Sequence, residues 1–260
     1  MSGQSSVLAG GIPWPPSVND FYLPGYFYPW ITKFTVMVWI AVALVLIFFL
    51  VSYRKPKLVP SKAQWMAESV YGFGRNGIAG DVIGPEGIRF APYIVTLLSF
   101  VGVMNLFAII PFFQISPSAH IGFPAALALI SWVLYIYVGM RKHGPLRYLR
   151  LMTMPSGAPL WLMPILIPLE FLSNFIVRPF TLAVRLFANL FAGHFILLVF
   201  TLGGFVLLNS STLAIKPISV VSWAMDIVLT FLELLVALLQ AYVFAILNAV
   251  YLQTSLTEEH

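Results

Sequence analysis

The run WLMPILIPLEFLSNFIVRPFTLAVRLFANLFAGHFILLVFTLG, residues 161–203, holds no turn signal except Pro164, Pro168 and Pro179. Read as one helix, it extends about 65 Å at ~1.5 Å per residue, twice the ~30 Å hydrocarbon core of a bilayer. Ile218 to Leu256 predicts a second overlong helix, of about 58 Å by the same rise per residue. Either both break or both lie steeply tilted in the membrane. The charges inside them favour tilt against protein neighbours. The connection, GGFVLLNSST, is uncharged.

Outward from this hairpin the chain keeps the same character. Of its 260 residues, 60% are hydrophobic and 9% charged, against roughly 25% charged in soluble domains. The mean hydropathy of +0.93 excludes a soluble or a disordered protein. Phe34–Tyr53 and Phe90–Met140 contain no Lys, Arg, Asp or Glu, and a spanning helix needs about 20 such residues. The first tract predicts a span over 31–53, stopped by Arg54, Lys55 and Lys57. The second is too long for one span. It divides at Pro111 and QISPSAHIGFP into spans of about 90–112 and 122–140. Residues 1–30, rich in Pro, Gly and aromatics, read as an irregular external arm. Residues 58–89 carry isolated charges, and SKAQWMAESVYGFG at their start reads as a short surface helix on the membrane. The fold class is therefore all-α and polytopic, with residues 1–260 as one integral membrane domain and 160–256 as its tilted hairpin.

Charge placement predicts orientation. Six Lys or Arg fall between Arg54 and Arg89, and four more in RKHGPLRYLR, residues 141–150. The alternate loops near 113–121 and 204–213 have none. The positive-inside rule puts the N-terminus outside and the C-terminus inside, and five passes require the same. The pI near 9.5 reflects this topology and not nucleic-acid binding, because the basic residues flank apolar segments. There is no cysteine, hence no disulfide framework or thiolate metal site. His120, His143, His194 and His260 are scattered, no His-Glu-x-x-His motif holds a metal, and no P-loop binds nucleotide. No cofactor is expected.

Ionisable groups inside the two long helices are the functional clue, since each costs at least roughly 2.5–3.5 kcal/mol at the bilayer centre. The first helix carries Glu170, Arg178 and Arg185; the second carries Asp226 and Glu233. Asn174, Arg178, Thr181, Arg185 and Asn189 share one stripe of an ideal helix. Asp226, Glu233 and Gln240, spaced at sevens, form another. His194 lies half a turn out of phase with Arg185. Structural roles compete with functional ones: Glu170 and Arg178 suit helix-end snorkelling or one ion pair, His194 a satisfied core histidine, Gln240 interhelical glue. Arg185, inside FTLAVRLFANLF, has no acid within a turn of its own helix. Its counter-charge is expected from Asp226, from Glu233 or from a carboxylate on another subunit.

The stretch RPFTLAVRLFANLFAGH, residues 178–194, resembles the signature helix of subunit a of the bacterial F-type ATP synthases. There an Arg-Leu-Phe-Gly/Ala-Asn core precedes Ala-Gly and a polar residue. FLELLVALLQAYVFAILNAVYL, residues 231–252, resembles that family's last helix, with its polar residue and Gln seven apart, and the terminal Glu-Glu-His is familiar there. The resemblance covers residues 90–260 well and the N-terminal third in layout only. It implies that Arg185 is the essential arginine and Asn189 its companion, with Gln240 the glutamine of the final helix. Glu170 matches a carboxylate near the cytoplasmic exit, and His194 with Glu233 a coupled pair whose two residue types are exchanged between the helices. In the external loop, where members often carry Asp and then Asn two residues later, PSAHIG offers His120 and Gly122.

The resemblance further implies a proton-translocating stator subunit of the bacterial plasma membrane. It is not catalytic itself but belongs to a complex with a c-ring, the subunit b peripheral stalk and the F1 portion, and its neighbour is otherwise lipid. Asp226, Glu233, His194, Asn189 and Gln240 would line an external half-channel, and Glu170 with Ser173 a cytoplasmic one. Arg185 would separate them. The alternative is a self-contained proton-coupled secondary transporter. Such a protein usually shows internal repeats with paired broken helices, which this sequence lacks.

Overall fold

A capping oxygen starts the first long helix: Thr32 Oγ1 accepts from the Thr35 amide at 3.4 Å, and α1 runs from Lys33 to Tyr53. The computed structural model describes residues 6–7, 13–14, 32–54, 56–110, 115–154, 162–209 and 216–257. Within the expected external arm, Ser6–Val7 (β1) and Pro13–Trp14 (β2) pair antiparallel; the remainder of residues 1–30 lies outside the described residues. Among the described residues all other regular structure is helical. Five helices among the described residues are long and apolar enough to cross a membrane: Lys33–Tyr53, Pro85–Leu106, Gly122–His143, Met163–Leu208 and Lys216–Leu256. The chain is an all-α polytopic membrane protein.

The expected surface helix is longer than its sequence signal. Ser61 caps α2 (Lys62–Gly72), its Oγ accepting from the Gln64 amide at 3.3 Å. The helix continues as a π-helical stretch over Phe73–Ile83. Gly84, at φ 86°, then turns the chain into a 3₁₀ turn, Pro85–Phe90, that leads into α3, Ala91–Leu106. Positive φ is open to glycine without strain, so the break falls where the sequence permits it. The 141–150 segment also differs from the expected basic loop. α4 (Gly122–His143) ends on Arg141, Lys142 and His143, cations that suit a helix C-terminus. Gly144, at φ 81°, folds the chain back into α5, Pro145–Thr153.

The core is built on α8, Lys216–Leu256. Ala237, Ala241, Ala245 and Ala249 recur every fourth residue and are all buried. Small side chains let helix backbones approach closely where lipid supplies no hydrophobic drive. Ala241 and Phe244 pack with Leu97 and Val101 of α3 and with Leu182, Leu186 and Leu190 of α7, Arg178–Leu208. Ala245, Ala249 and Leu252 pack with Ile78, Ile94 and Tyr135. Helix α1 attaches to the rim through Met37 and Ala41 against Met104 and Phe107.

Several buried polar groups are paired across this core. Asn105 Nδ2 donates to the Ala237 carbonyl at 3.2 Å, and Asn105 Oδ1 accepts from Ser118 Oγ at 3.1 Å. Ser116 Oγ donates to the Met104 carbonyl at 2.8 Å. The loop before α4 is thus tied to both α3 and α8, because an unpaired buried polar group costs about 1–3 kcal/mol. At the other end, Tyr148 Oη and Ser255 Oγ lie 3.2 Å apart. Burial pushes the Tyr148 pKa up, against the opposing pulls of that hydrogen bond and of Arg178, so the hydroxyl stays protonated. Gly139 leaves room for the Tyr148 ring, which a Cβ there would strike. Gly139→Val is therefore expected to displace α5 and to cost about 1–3 kcal/mol. A lowered unfolding midpoint of the purified protein, with no matching drop for Gly72→Ala, where an added Cβ meets open space, is the check.

The first arm of the hairpin is not a uniform α-helix. α6 (Met163–Leu172) passes through a π-helical stretch, Ser173–Val177, into α7. The wider turn changes the helical phase, which corrects the single stripe expected from 174 to 189. Asn174 is 4% exposed, whereas Thr181, Arg185 and Asn189 are on the open surface. α7 also extends through Gly203 to Leu208, into the predicted connection; residues 210–215 lie outside the described residues.

Candidate functional site

The second arm presents its polar residues to the first at fixed intervals. Asp226, Glu233 and Gln240 are two helical turns apart (about 10.5 Å at ~1.5 Å per residue), so all three face α7. The antiparallel arm meets them in reverse order. Thr201 Oγ1 donates to Asp226 Oδ2 at 2.7 Å. Glu233 lies against Gly193, where an added Cβ would stand 3.4 Å from Glu233 Oε1. Asn189 Nδ2 donates to Gln240 Oε1 at 2.8 Å. These are three rungs of one ladder.

The rungs differ in how well they are satisfied. The Asn189–Gln240 pair is complete at the contact, with Gln240 buried. Asp226 keeps one oxygen bonded while Oδ1 has no partner, and both oxygens of buried Glu233 lack a hydrogen-bond partner. A carboxylate without partners in an apolar setting is costly. Glu233 borders a cavity of about 80 Å³, whose wall includes Asn189, Gly193, Ile196, Leu229, Leu232 and Val236. At roughly 10–15 Å³ per water centre, that volume admits several waters. Water there can supply the missing hydrogen bonds.

Arg185 takes the opposite position. It lies midway along Met163–Leu208, yet it points away from the ladder and onto the open face of α7, with Ala188 and Ala192 beside it. Among the described residues it makes no ion pair or hydrogen bond. Of the counter-charges expected from the sequence, neither Asp226 nor Glu233 serves. A permanent cation at the midpoint of an apolar helix is left facing outward, the costliest place for it in lipid.

The other candidates are distributed around this centre. His194 is buried on the far side of α7 from Arg185. Lys33, at the start of α1, acts on it electrostatically. Glu233 makes no hydrogen bond to it. His120 packs its ring 5.7 Å from Phe34 and 6.1 Å from Phe123. Glu170 Oε2 accepts from Asn174 Nδ2 at 3.3 Å; Ser173 opens the π stretch one turn away. No ion pair joins Glu170 to Arg178, one of the two structural roles weighed for them. Arg178 Nη1 donates to Thr254 Oγ1 at 3.3 Å, and its guanidinium lies 5.4 Å over the Tyr251 ring. Those neutral partners carry it across to α8. Sequence reading missed Thr201 and Gly193 as members of these clusters, and Asn174 as the partner of Glu170.

The chain is similar in sequence to known proteins along most of its length. Residues 35–253 match the family model described as ATP synthase A chain. "ATP synthase subunit a" of Nocardioides sp. is 40% identical over 259 residues, covering 95% of this chain and 94% of the relative. The protein of the same name from Pseudarthrobacter chlorophenolicus is 40% identical, covering 93% and 92%. That from Rhodococcus erythropolis is 41% identical, covering 94% and 91%. A match across more than four-fifths of the chain places it: this protein belongs to the ATP synthase A chain family.

Proposed function

We propose that this chain is the membrane stator subunit through which protons cross the Fo part of a bacterial F1Fo ATP synthase. It offers two aqueous half-channels to carboxylates on a rotating c-ring. Arg185 separates them. The observation that carries this reading is the outward-facing, unpartnered Arg185 at the middle of the membrane helix. Such a residue is intelligible when a second protein brings an acid to it. The open face of α7 around Arg185, with the small residues Ala188 and Ala192, suits close approach by another helix.

The physics of the exchange follows from charge and solvent. A carboxyl group carried through lipid stays neutral, because desolvation disfavours its ionised form. Opposite Arg185 the nearby positive charge favours ionisation, and the proton leaves into one half-channel. The group departs again only after it takes a proton from the other. Arginine stays protonated at any working pH, so it passes no proton itself and prevents a shortcut between the two channels. Asp226, Glu233, His194, Asn189 and Gln240 serve the external side, where the water-sized cavity beside Glu233 lies. Glu170 and Ser173 serve the cytoplasmic side. Basic residues in the loops after α1 and α4 favour an external N-terminus and a cytoplasmic C-terminus. The subunit b stalk would hold the assembly against rotation.

The reading is tested by reconstituting the chain alone and with a c-ring in sealed vesicles under an imposed membrane potential. The isolated chain is expected to pass no more protons than empty vesicles, and the pair to conduct. Potential-driven flux through the isolated chain would instead establish a self-contained transporter.

A further inference from the structure

The π-helical stretch at Ser173–Val177 has a cause in its neighbours. In it the Arg178 amide donates to the Ser173 carbonyl, five residues back. The next amide in the same register would come from residue 179 and serve the Asn174 carbonyl. Residue 179 is proline and has no N–H. The carbonyl left over is buried, and one side chain reaches it: Tyr135 Oη of α4 donates to Asn174 O at 3.0 Å. Tyr135 is 3% exposed and Asn174 4%, so water is not at hand as a substitute. The Asn174 side chain is held as well, donating to the Met152 carbonyl at 2.7 Å.

We infer that Tyr135 is a positioning residue for Arg185, its hydroxyl replacing the hydrogen bond that Pro179 cannot make and so holding the π turn that aims the arginine at the open face. The inference rests on the reading of Arg185 given above. Its logic is one of phase. Each residue added to or taken from a helical turn rotates everything beyond it by about 100°. Arg185 lies two turns past the π stretch. Rewinding that stretch would move it from the open face toward the packed one, where Leu182 and Leu186 now lie. A single α4 hydroxyl thus acts on the arginine's direction without touching it.

The test uses Tyr135→Phe and the double variant Tyr135→Phe/Pro179→Ala in the whole F1Fo complex. Alanine restores an amide at 179 that can bond the Asn174 carbonyl directly. Two quantities are read: hydrogen exchange of the amides at 174–181, and ATP-driven proton pumping per ATP hydrolysed. Tyr135→Phe is expected to speed exchange in that segment at least tenfold and to lower pumping per ATP several-fold. The double variant should recover both. If Tyr135→Phe leaves exchange unchanged, or the added amide restores neither quantity, the hydroxyl does not replace the missing bond. If exchange follows the expected pattern while pumping never changes, Tyr135 holds the turn but does not aim Arg185. Failure of the Arg185 reading is seen separately, as normal pumping by an Arg185 variant.

Discussion

Arg185→Ala should abolish ATP synthesis and ATP-driven pumping in the intact complex and should make the membrane leak protons. Both effects come from one lost charge. A cation close to a carboxyl group lowers its pKa by about 1–3 units, which is roughly 10- to 1,000-fold in the ionisation equilibrium. Without Arg185, a partner carboxyl stays protonated at the position where it must release, so rotation no longer obliges transfer. The same loss removes the fixed positive charge between the two water paths. No neighbour replaces it, since Arg185 makes no contact with Asp226, Glu233 or any other charged group among the described residues. Measured in sealed vesicles, the variant should show passive proton flux well above wild type and no acidification with ATP. Arg185→Lys should fall between, because lysine keeps a charge but can lose its proton where arginine cannot. Wild-type pumping by Arg185→Ala would end the stator reading.

Gly193→Leu should also stop synthesis, but without the leak. The backbone at 193 faces Glu233 so closely that an added Cβ already stands 3.4 Å from the carboxylate oxygen. The three further carbons of leucine would occupy the cavity of about 80 Å³ and exclude the water that reaches Glu233. An apolar plug with no polar partners leaves the carboxyl group dry, and proton delivery through it then requires a buried charge with nothing to stabilise it. A drop in synthesis of at least tenfold is expected, with passive flux at or below wild type. Gly193→Ala should be mild, since 3.4 Å needs only a small shift of the Glu233 side chain. A leucine variant that pumps normally would show that the cavity lies off the path. The two variants thus distinguish a barrier from a conduit by the sign of the leak.

Much of this site is legible in the sequence because it depends on spacing. Asp226, Glu233 and Gln240 repeat at sevens, and an α-helix must place them on one face. The opposition of Arg185 and His194 follows from a separation of nine residues. What spacing on one helix does not show is the partner across the seam, although an antiparallel pair keeps the sum of residue numbers nearly constant. Glu233 with Gly193, and Gln240 with Asn189, would have led to Thr201 opposite Asp226. The π stretch was not legible in that way. Pro179 announces a missing amide, but the donor that answers it, Tyr135, is on another helix 39 residues away. The Asn174-to-Asn189 stripe failed for the same reason: it assumed an unbroken 100° step through a turn that does not have one. Glu170 and Arg178 are separated because neutral groups satisfy them first: Asn174, one turn further along the same arm, and Thr254 on α8. The short strands near the N-terminus and the α5 hairpin depend on local turns, which hydropathy averages away.

The packing of α8 is lopsided along its length. From Ala237 to Leu256 it is gripped by α3, α4 and the π-helical stretch Phe73–Ile83, with Ala237, Phe244, Ala249, Leu252 and Ser255 all buried. From Lys216 to Leu232 its exposed side chains include Ile218, Val221, Ile227, Phe231 and Leu232, and its chief neighbour is the other arm of the hairpin. In mechanical terms it is a beam clamped at its root and supported at its tip by a single strut. A sideways push on the open face therefore deflects the tip more than the root. Gln240, close to the clamp, keeps a nearly fixed address, whereas Asp226, further out, rides on the compliant part and can follow a moving surface.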